Sequence, residues 1–188
     1  MKFLLVLLLS LLPLPSLCQT LAPADSTIEA SRWIPYLDSL AKATESRYGL
    51  TVGLCRAISW KESKHDSTAT RAEGNYTILK TRMAGIIRIR SLKFSKRHGG
   101  IPSFLTEVFQ EGSSHTRFQI MGVNLRSLGV NALYLSRISD STAFDCFGKF
   151  MAPLINRYPL YKAIGLYNGP KFPASYPREV MILMEGFK

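Results

Sequence analysis

The most informative part of this chain is AISWKESKHDSTA, residues 57–69. Its first half has the apolar spacing of a helix packed against a core, and its second half is polar. Glu62 stands where the two halves meet, directly before Ser63. Burial at such a helix end raises a carboxyl pKa towards the range of a general acid, and a neighbouring hydroxyl can orient the carboxyl. A solvated helix end has the same pattern, so position alone leaves both interpretations open.

Apolar periodicity predicts a helix on the N-terminal side of this stretch and a second helix that leads into it. The first helix runs to Tyr48 and stops at Gly49, and the second ends in the polar run at residues 61–64. The predicted buried face of the first helix is formed by Ile34, Leu37, Leu40 and Ala41. The predicted buried face of the second is formed by Val52, Leu54, Cys55, Ala57 and Ile58.

Helical patterns also dominate the C-terminal half. Residues 118–128 read as mostly helical with Gly129 as a cap, and residues 143–158 form a strong amphipathic pattern. Two shorter helices are expected at residues 161–167 and 177–184. Residues 74–114 have no clear period. These patterns together predict a mainly α fold, with a single compact helical domain over residues 31–188. A small β-hairpin could lie in the middle segment, residues 74–114.

Composition supports a folded globule. The chain has 188 residues, 46% of them hydrophobic and 20% charged, with a formal net charge of +11. This length suits one domain with its own core. The apolar fraction excludes a disordered chain, and 13 glycines with 10 prolines exclude a collagen-like one.

The first residues have the pattern of an export signal. Lys2 and the apolar run Phe3–Leu14 are followed by small residues, which predicts a signal peptide over residues 1–18 and a flexible segment over residues 19–30. The run is shorter than the roughly 20 residues that span a bilayer, so no stable membrane anchor is expected. Acylation of Cys18 is the alternative, although the residue before it is not small. We therefore expect a protein of the periplasm or cell exterior, associated with the cell wall.

Removal of the signal peptide leaves two cysteines, Cys55 and Cys146. An oxidising compartment allows them to form a disulfide, and two buried free thiols are the equal alternative. The three histidines are scattered, so no metal site and no cofactor are expected.

The motif order adds a specific interpretation. Residues 62–69 resemble the E-S-x-x-D/N-x-x-A signature of the soluble lytic transglycosylase domain, a relative of goose-type lysozyme. Residues 118–122 resemble that family's Gln-Ile-Met block, Gly148 lies in the middle helix as in the family, and residues 166–169 resemble its Tyr-Asn block. The four blocks follow the family's order between roughly Tyr36 and Val180.

The resemblance implies a lysozyme-like α+β fold with a cleft for glycan strands of peptidoglycan. Glu62 would take the role of the catalytic glutamate, protonating the glycosidic oxygen between N-acetylmuramic acid and N-acetylglucosamine. The same carboxylate would then accept a proton from the muramoyl 6-hydroxyl, which closes a 1,6-anhydro ring. This reaction of a lytic transglycosylase needs one carboxylate, because the substrate's acetamido group can stabilise the developing charge.

The resemblance also assigns supporting roles. Ser63 would orient Glu62 or contact the leaving sugar, and Gln119 would bind the glycan or position the acid. Tyr167 and Asn168 would line the floor near the glutamate, with the Tyr167 phenol donating to the carboxylate or to the acetamido group. Met121 belongs to the matched Gln-Ile-Met block, although a core methionine is an equal reading.

Two features depart from the family pattern: the residue at position 116, and the stretch between Ala69 and Ser114, which is long for the core family. The family usually has glycine at the position of Thr116, where a side chain could narrow the cleft or replace a backbone contact. Glu73 is the best second carboxylate. If it faced Glu62 across a gap of the size of a water molecule, the enzyme would be a hydrolysing muramidase.

The positive charge fits an acidic cell-wall polymer as partner. Export and the lack of a nucleic-acid-binding motif argue against nucleic acid. We expect a monomer that acts on peptidoglycan. A non-catalytic peptidoglycan-binding or assembly protein of the same fold is the alternative from a different class.

Overall fold

The computed structural model describes residues 33–73 and 104–187 of the chain. The predicted signal peptide, the segment at residues 19–30 and residues 74–103 of the middle segment lie outside these ranges. The helices are α1 Pro35–Tyr48, α2 Leu54–Ser63, α3 Phe104–Glu111, α4 Gly122–Ser127, α5 Asp140–Arg157, α6 Leu160–Asn168 and α7 Ser175–Gly186, with a 3-10 turn at Leu135–Arg137. The strands are β1 Thr70–Ala72, β2 Ser113–His115 and β3 Ile120–Met121.

This architecture confirms the mainly helical fold with a small β element. The three strands form an antiparallel sheet in the order β1-β2-β3, with Thr70 opposite His115 and Ser114 opposite Met121. The β2–β3 pair is a hairpin, but it begins only at the end of the middle segment where one was expected, and β3 lies in residues predicted to be helical. Strand β1 extends the hairpin on one side. In the part of the chain that the structure describes, no helix is long and apolar enough to cross a bilayer.

Helix α1 begins and ends as its sequence predicts. A proline occupies its first turn, and Gly49 ends it in the left-handed conformation, donating its N–H to carbonyls of the last turn. Ile34 and Val52 were expected on the buried faces, but they are 50% and 59% exposed. Both residues precede their helices, where the helical period no longer determines which way a side chain points.

The end of α2 is fixed by unusual backbone geometry. Lys64 and His65 follow the helix with φ of 55° and 65°, a conformation that residues other than glycine adopt only when their surroundings enforce it. The His65 ring is buried between Trp33 and Trp60, at centroid distances of 4.6 and 5.3 Å, and its Nδ1 lies 2.9 Å from Ser59 Oγ. The last turn of α2, which carries Glu62, is therefore held in one orientation.

The segment at residues 118–128 differs in part from its prediction. It starts in a turn and in strand β3, and helix α4 begins only at Gly122. A side chain at Gly122 would place its Cβ 2.0 Å from the carbonyl oxygen of Gln110, so helix α4 can begin this close to α3 only at a glycine. The aperiodic middle segment contains α3, which was not predicted. A buried ion pair joins Glu107 of α3 to Arg126 of α4, with 2.6 Å between Oε1 and Nε.

The C-terminal helices confirm the apolar pattern, each with one to three more residues at its N-terminus. Helix α5 begins at Asp140 because the Ser139 hydroxyl accepts the backbone N–H of Thr142 as an N-cap. Its buried phenylalanines meet the chain at Phe118, whose ring stacks on Phe147 at 4.4 Å and meets Phe144 edge-on at 4.9 Å. This aromatic cluster anchors the start of the β3 segment on α5.

Cys55 and Cys146 are both free and buried, so the structure contains the thiols and not the disulfide. The backbone N–H of Cys55 bonds to Glu45 in α1, whereas Cys146 borders a second surface cleft beside Gly129 and Lys149. The two thiols therefore face different surroundings. Burial raises the pKa of both, that of Cys146 to about 11, which keeps them protonated and unreactive.

Packing between α1 and α5 yields a test of the fold. A Cβ at Gly148 would lie 2.1 Å from Cδ2 of the Tyr48 ring, close to the base of that side chain. We expect Gly148→Ala to destabilise the protein by about 1–3 kcal/mol through overpacking. Thermal unfolding followed by circular dichroism should show the midpoint falling by roughly 3–10 °C.

The matched control is Gly186→Ala, because no atom lies within 4 Å of the added methyl group at Gly186. Its melting temperature should stay close to that of the wild type. Equal melting temperatures for both variants would show that the α1–α5 contact is not as tight as described.

Candidate active site

A cleft of about 280 Å³ opens between the end of α2, the small sheet and the helices α5 and α6. Its lining contains six of the residues singled out in the sequence: Glu62, Glu73, Gln119, Met121, Tyr167 and Asn168. Arg71, Ser114 and Phe150 also line it. Ser63 is not part of the lining. The structure thus brings together side chains from four segments that are far apart in sequence.

Glu62 is half-buried at this cleft, and burial raises the pKa of its carboxyl above the ordinary value. A hydrogen bond from Tyr176 and the positive charges of Arg71 and Lys61 oppose the effect of burial, while the negative charge of Glu73 adds to it. A carboxylic acid in this setting keeps its proton closer to neutral pH than an exposed glutamate does. The geometry therefore suits Glu62 to proton transfer.

Tyr176 is the site residue that the sequence did not reveal. Its hydroxyl donates to Oε1 of Glu62 from the first turn of α7, and its side chain is 5% exposed. An ion pair between Lys61 and Glu179 holds α7 against α2 next to this bond. The predicted last helix began one residue after Tyr176, so nothing in its period marked this aromatic. Its place in the first turn of an amphipathic helix was the available signal.

Tyr167 lines the cleft in a different role from the one expected. Its hydroxyl donates to the backbone carbonyl of Phe118 at 2.5 Å, and not to Glu62. Its ring packs edge-on against Phe147 and Phe150, each at a centroid distance of 5.6 Å. The prediction that Tyr167 donates to the Glu62 carboxylate is therefore wrong: Tyr176 makes this hydrogen bond, and Tyr167 fixes the cleft floor.

Asn168 is exposed at the end of α6 and lines the cleft as anticipated.

Gln119 forms part of the cleft wall with most of its amide already in use. It has a φ of 49°, its Nε2 donates to the carbonyls of Ala69 at 3.0 Å and Thr116 at 2.9 Å, and its Oε1 lies 3.1 Å from Ser114 Oγ. Only the remaining lone pair of Oε1 is left for a ligand. Gln119 thus ties β3 to the segment before β1.

The structure places Ser63 away from the predicted role at Glu62. Its hydroxyl lies 2.8 Å from the carbonyl of Arg117 and 3.1 Å from that of Ser59. The hydroxyl therefore bonds to backbone carbonyls and not to Glu62, while its predicted contact with the leaving sugar stays a prediction. Ser63 connects the helix end to the loop that leads to Gln119.

Thr116 does not narrow the cleft, because it is 1% exposed. Its φ is 68°, which explains why a glycine would suit this position. Its hydroxyl accepts the backbone N–H of Phe118 at 3.3 Å, so the side chain adds a contact within the loop. The side chain of Thr116, where a glycine was expected, is therefore accommodated inside the protein and not in the cleft.

Glu73 lies in the same cleft as Glu62. Its Oε1 accepts from Nε of Arg71 at 2.9 Å and lies 2.9 Å from Ser114 Oγ. A second carboxylate is therefore present, held by a cation and a hydroxyl.

Metal ligands do not gather here. Within residues 33–73 and 104–187 there is no group of three or more histidine, cysteine or acidic side chains that could hold a metal ion.

Comparison with known protein families, curated proteins and solved structures finds no match to this chain.

The hydrogen bond from Tyr176 to Glu62 predicts how a substitution at Tyr176 would change the pH dependence of catalysis by Glu62. The bond favours the charged form of Glu62, so Tyr176→Phe should raise the pKa of this carboxyl further. If protonated Glu62 is the active form, the alkaline limb of kcat/KM should move to higher pH. An unchanged limb, or one moved to lower pH, would contradict this assignment. Tyr161→Phe, at an exposed tyrosine on α6, is the control.

Burial of Glu62 also predicts a stability effect. A carboxyl whose pKa is raised on folding lowers stability once the pH rises above its unfolded pKa, since ionisation is then easier in the unfolded chain. Glu62→Gln should therefore melt higher than the wild type at pH 7, with the difference shrinking below about pH 4. Thermal unfolding of both proteins between about pH 4 and pH 7 checks this prediction. A lower midpoint for the variant than for the wild type at pH 7 would argue against a destabilising Glu62 carboxylate.

Proposed function

We propose that this protein is an exported peptidoglycan lytic transglycosylase related to the soluble lytic transglycosylase domain. The observation that supports it most directly is the half-buried Glu62 carboxyl with a raised pKa, in one cleft with Gln119, Met121, Tyr167 and Asn168. The four sequence blocks that resemble the family thus contribute to one site or to its support. The substrate in this proposal is the β-1,4 bond between N-acetylmuramic acid and N-acetylglucosamine.

In the first step, Glu62 gives its proton to the glycosidic oxygen as the C1–O4 bond breaks. The raised pKa supports this role, because the acid must be protonated when substrate binds. The muramoyl acetamido group stabilises the oxocarbenium character at C1. Tyr176, bonded to Glu62, stabilises the carboxylate that forms.

In the second step, the Glu62 carboxylate accepts the proton of the muramoyl 6-hydroxyl, whose oxygen bonds to C1 and closes the 1,6-anhydro ring. The glutamate returns to its acid form, and no water is consumed. The rest of the cleft holds the sugars: the exposed Asn168 amide and the remaining lone pair of Gln119 Oε1 are among the polar groups that could bind a glycan.

The presence of Glu73 in the cleft supports hydrolysis of the glycan as a second candidate function. It shares the cleft with Glu62 and its charge acts on the Glu62 carboxyl. A carboxylate on the opposite side of the sugar could activate water, which would make the enzyme a muramidase. Its contacts weigh against this role, because Oε1 of Glu73 already accepts hydrogen bonds from the Arg71 guanidinium and the Ser114 hydroxyl.

The deciding experiment digests purified cell wall and identifies the released muropeptides by mass spectrometry. We expect 1,6-anhydro ends from the wild type, and a loss of activity of at least about a hundredfold in Glu62→Gln, which removes the acid. Glu185→Gln, an exposed change on α7, is the matched control and should stay active.

Glu73→Gln separates the two reactions. A transglycosylase should keep its anhydro products in this variant, whereas a muramidase should lose its reducing-end products. Clearing by Glu62→Gln as well as by the wild type would remove Glu62 from the mechanism. Wall binding without any clearing by the wild type would favour the non-catalytic alternative.

A further inference from the structure

We propose that Arg71 binds a carboxylate of the glycan strand's muramoyl branch, and so selects acidic peptidoglycan over neutral polysaccharide. This inference rests on the proposed function and names the substrate feature that the cleft recognises. Arg71 is the one basic side chain among the described residues that line the cleft. Its side chain is 62% exposed, so a ligand can reach it.

The guanidinium group of Arg71 is held on one side and open on the other. Its Nε donates to Oε1 of Glu73 at 2.9 Å. Within the described part of the chain, its two terminal nitrogens have no hydrogen-bond partner. A planar guanidinium presents its donors as a fork that matches the two oxygens of a carboxylate. The unused donors of Arg71 therefore form a ready site for such a group.

The β1–β2 pairing fixes the position of the Arg71 guanidinium group. Arg71 lies opposite Ser114 in the β1–β2 register, and Ser114 Oγ lies 2.9 Å from the Glu73 oxygen that Arg71 binds. Glu73 is thus held from two directions and in turn fixes the Nε edge of the guanidinium. An arginine restrained in this way loses less side-chain freedom when a ligand binds.

The charges around Arg71 are compatible with an anionic ligand. Two acidic groups line the cleft, Glu62 and Glu73. Glu62 must be uncharged when substrate binds if it is the acid. The Arg71–Glu73 ion pair has no net charge, so the ligand is recognised by the open guanidinium donors and not by a net positive field. The sugar rings of peptidoglycan carry no charge, whereas the muramoyl branch ends either in a free lactyl carboxylate or in stem-peptide carboxylates. Either source offers the chemistry that Arg71 recognises.

The test compares soluble glycan strands in four forms: with stem peptides, or with the peptides removed to leave free lactyl carboxylates, and each of these with its carboxylates free or converted to neutral methylamides. For the wild type, neutralisation should raise KM about tenfold while kcat changes little. Arg71→Gln should have this high KM on every form. Arg71→Lys, which keeps the charge without the fork, should fall between them. Arg157→Gln, an exposed change at the end of α5, is the charge-matched control.

The two sources are distinguished by the forms. Sensitivity to neutralisation on peptide-free strands assigns the lactyl carboxylate, and sensitivity only on peptide-bearing strands assigns the stem peptide. Equal KM for charged and neutral strands in the wild type would overturn the proposal. A fall in kcat for Arg71→Gln that is the same on charged and neutral strands would also overturn it, because Arg71 would then act only through Glu73.

A binding measurement keeps this inference separate from the proposed chemistry. Glu62→Gln protein, with and without Arg71→Gln, is equilibrated with labelled peptide-free strands and with their methylamide form, and affinity is measured by fluorescence anisotropy. Tighter binding of the charged strands that disappears with Arg71→Gln supports the carboxylate site even if no turnover is found. Turnover by the wild type combined with indifference to strand charge would reject the inference and leave the proposed function intact.

Discussion

The hydrogen bond from Tyr176 to Glu62 is the contact on which the site depends. It joins the first turn of α7 to the last turn of α2, beside the Lys61–Glu179 ion pair. The two helices also approach closely at Gly53, where an added Cβ would lie 3.2 Å from the Met184 carbonyl. The carboxyl is therefore desolvated by tertiary packing and at the same time given one donor. Burial alone would suppress its ionisation, and the hydrogen bond from Tyr176 partly offsets this by favouring the charged form.

The helices with long amphipathic patterns could be predicted from the sequence, and the middle of the chain could not. Helices α1, α2, α5, α6 and α7 each bury an apolar face, which the spacing of their side chains reveals. The region around α3 and the sheet instead buries polar side chains, including Glu107, Glu111 and His115. Hydrophobic periodicity does not detect such burial, because it depends on partners such as Arg126 that are distant in sequence. Strands of two or three residues are also too short to show a period.

Motif order located the cleft residues but not the bonds they make. Glu62, Gln119 and Tyr167 do share one cleft, which lies at the end of α2, the start of β3 and the end of α6. Their roles depend on which donor meets which acceptor, and spacing along the chain does not specify that. Tyr167 and Tyr176 illustrate the limit: two tyrosines nine positions apart lie near one glutamate, and only the fold decides that the second bonds to it.

The end of α2 is fastened by a side chain from the loop before β3. The buried guanidinium of Arg117 donates to the His65 carbonyl at 2.9 Å and forms an ion pair with Asp140 at the start of α5, while its own carbonyl faces the Ser63 hydroxyl. Three segments thus meet at a single arginine beside the helix end that carries the glutamate. Because this junction is complete without a ligand, little ordering of the protein there would have to accompany ligand binding.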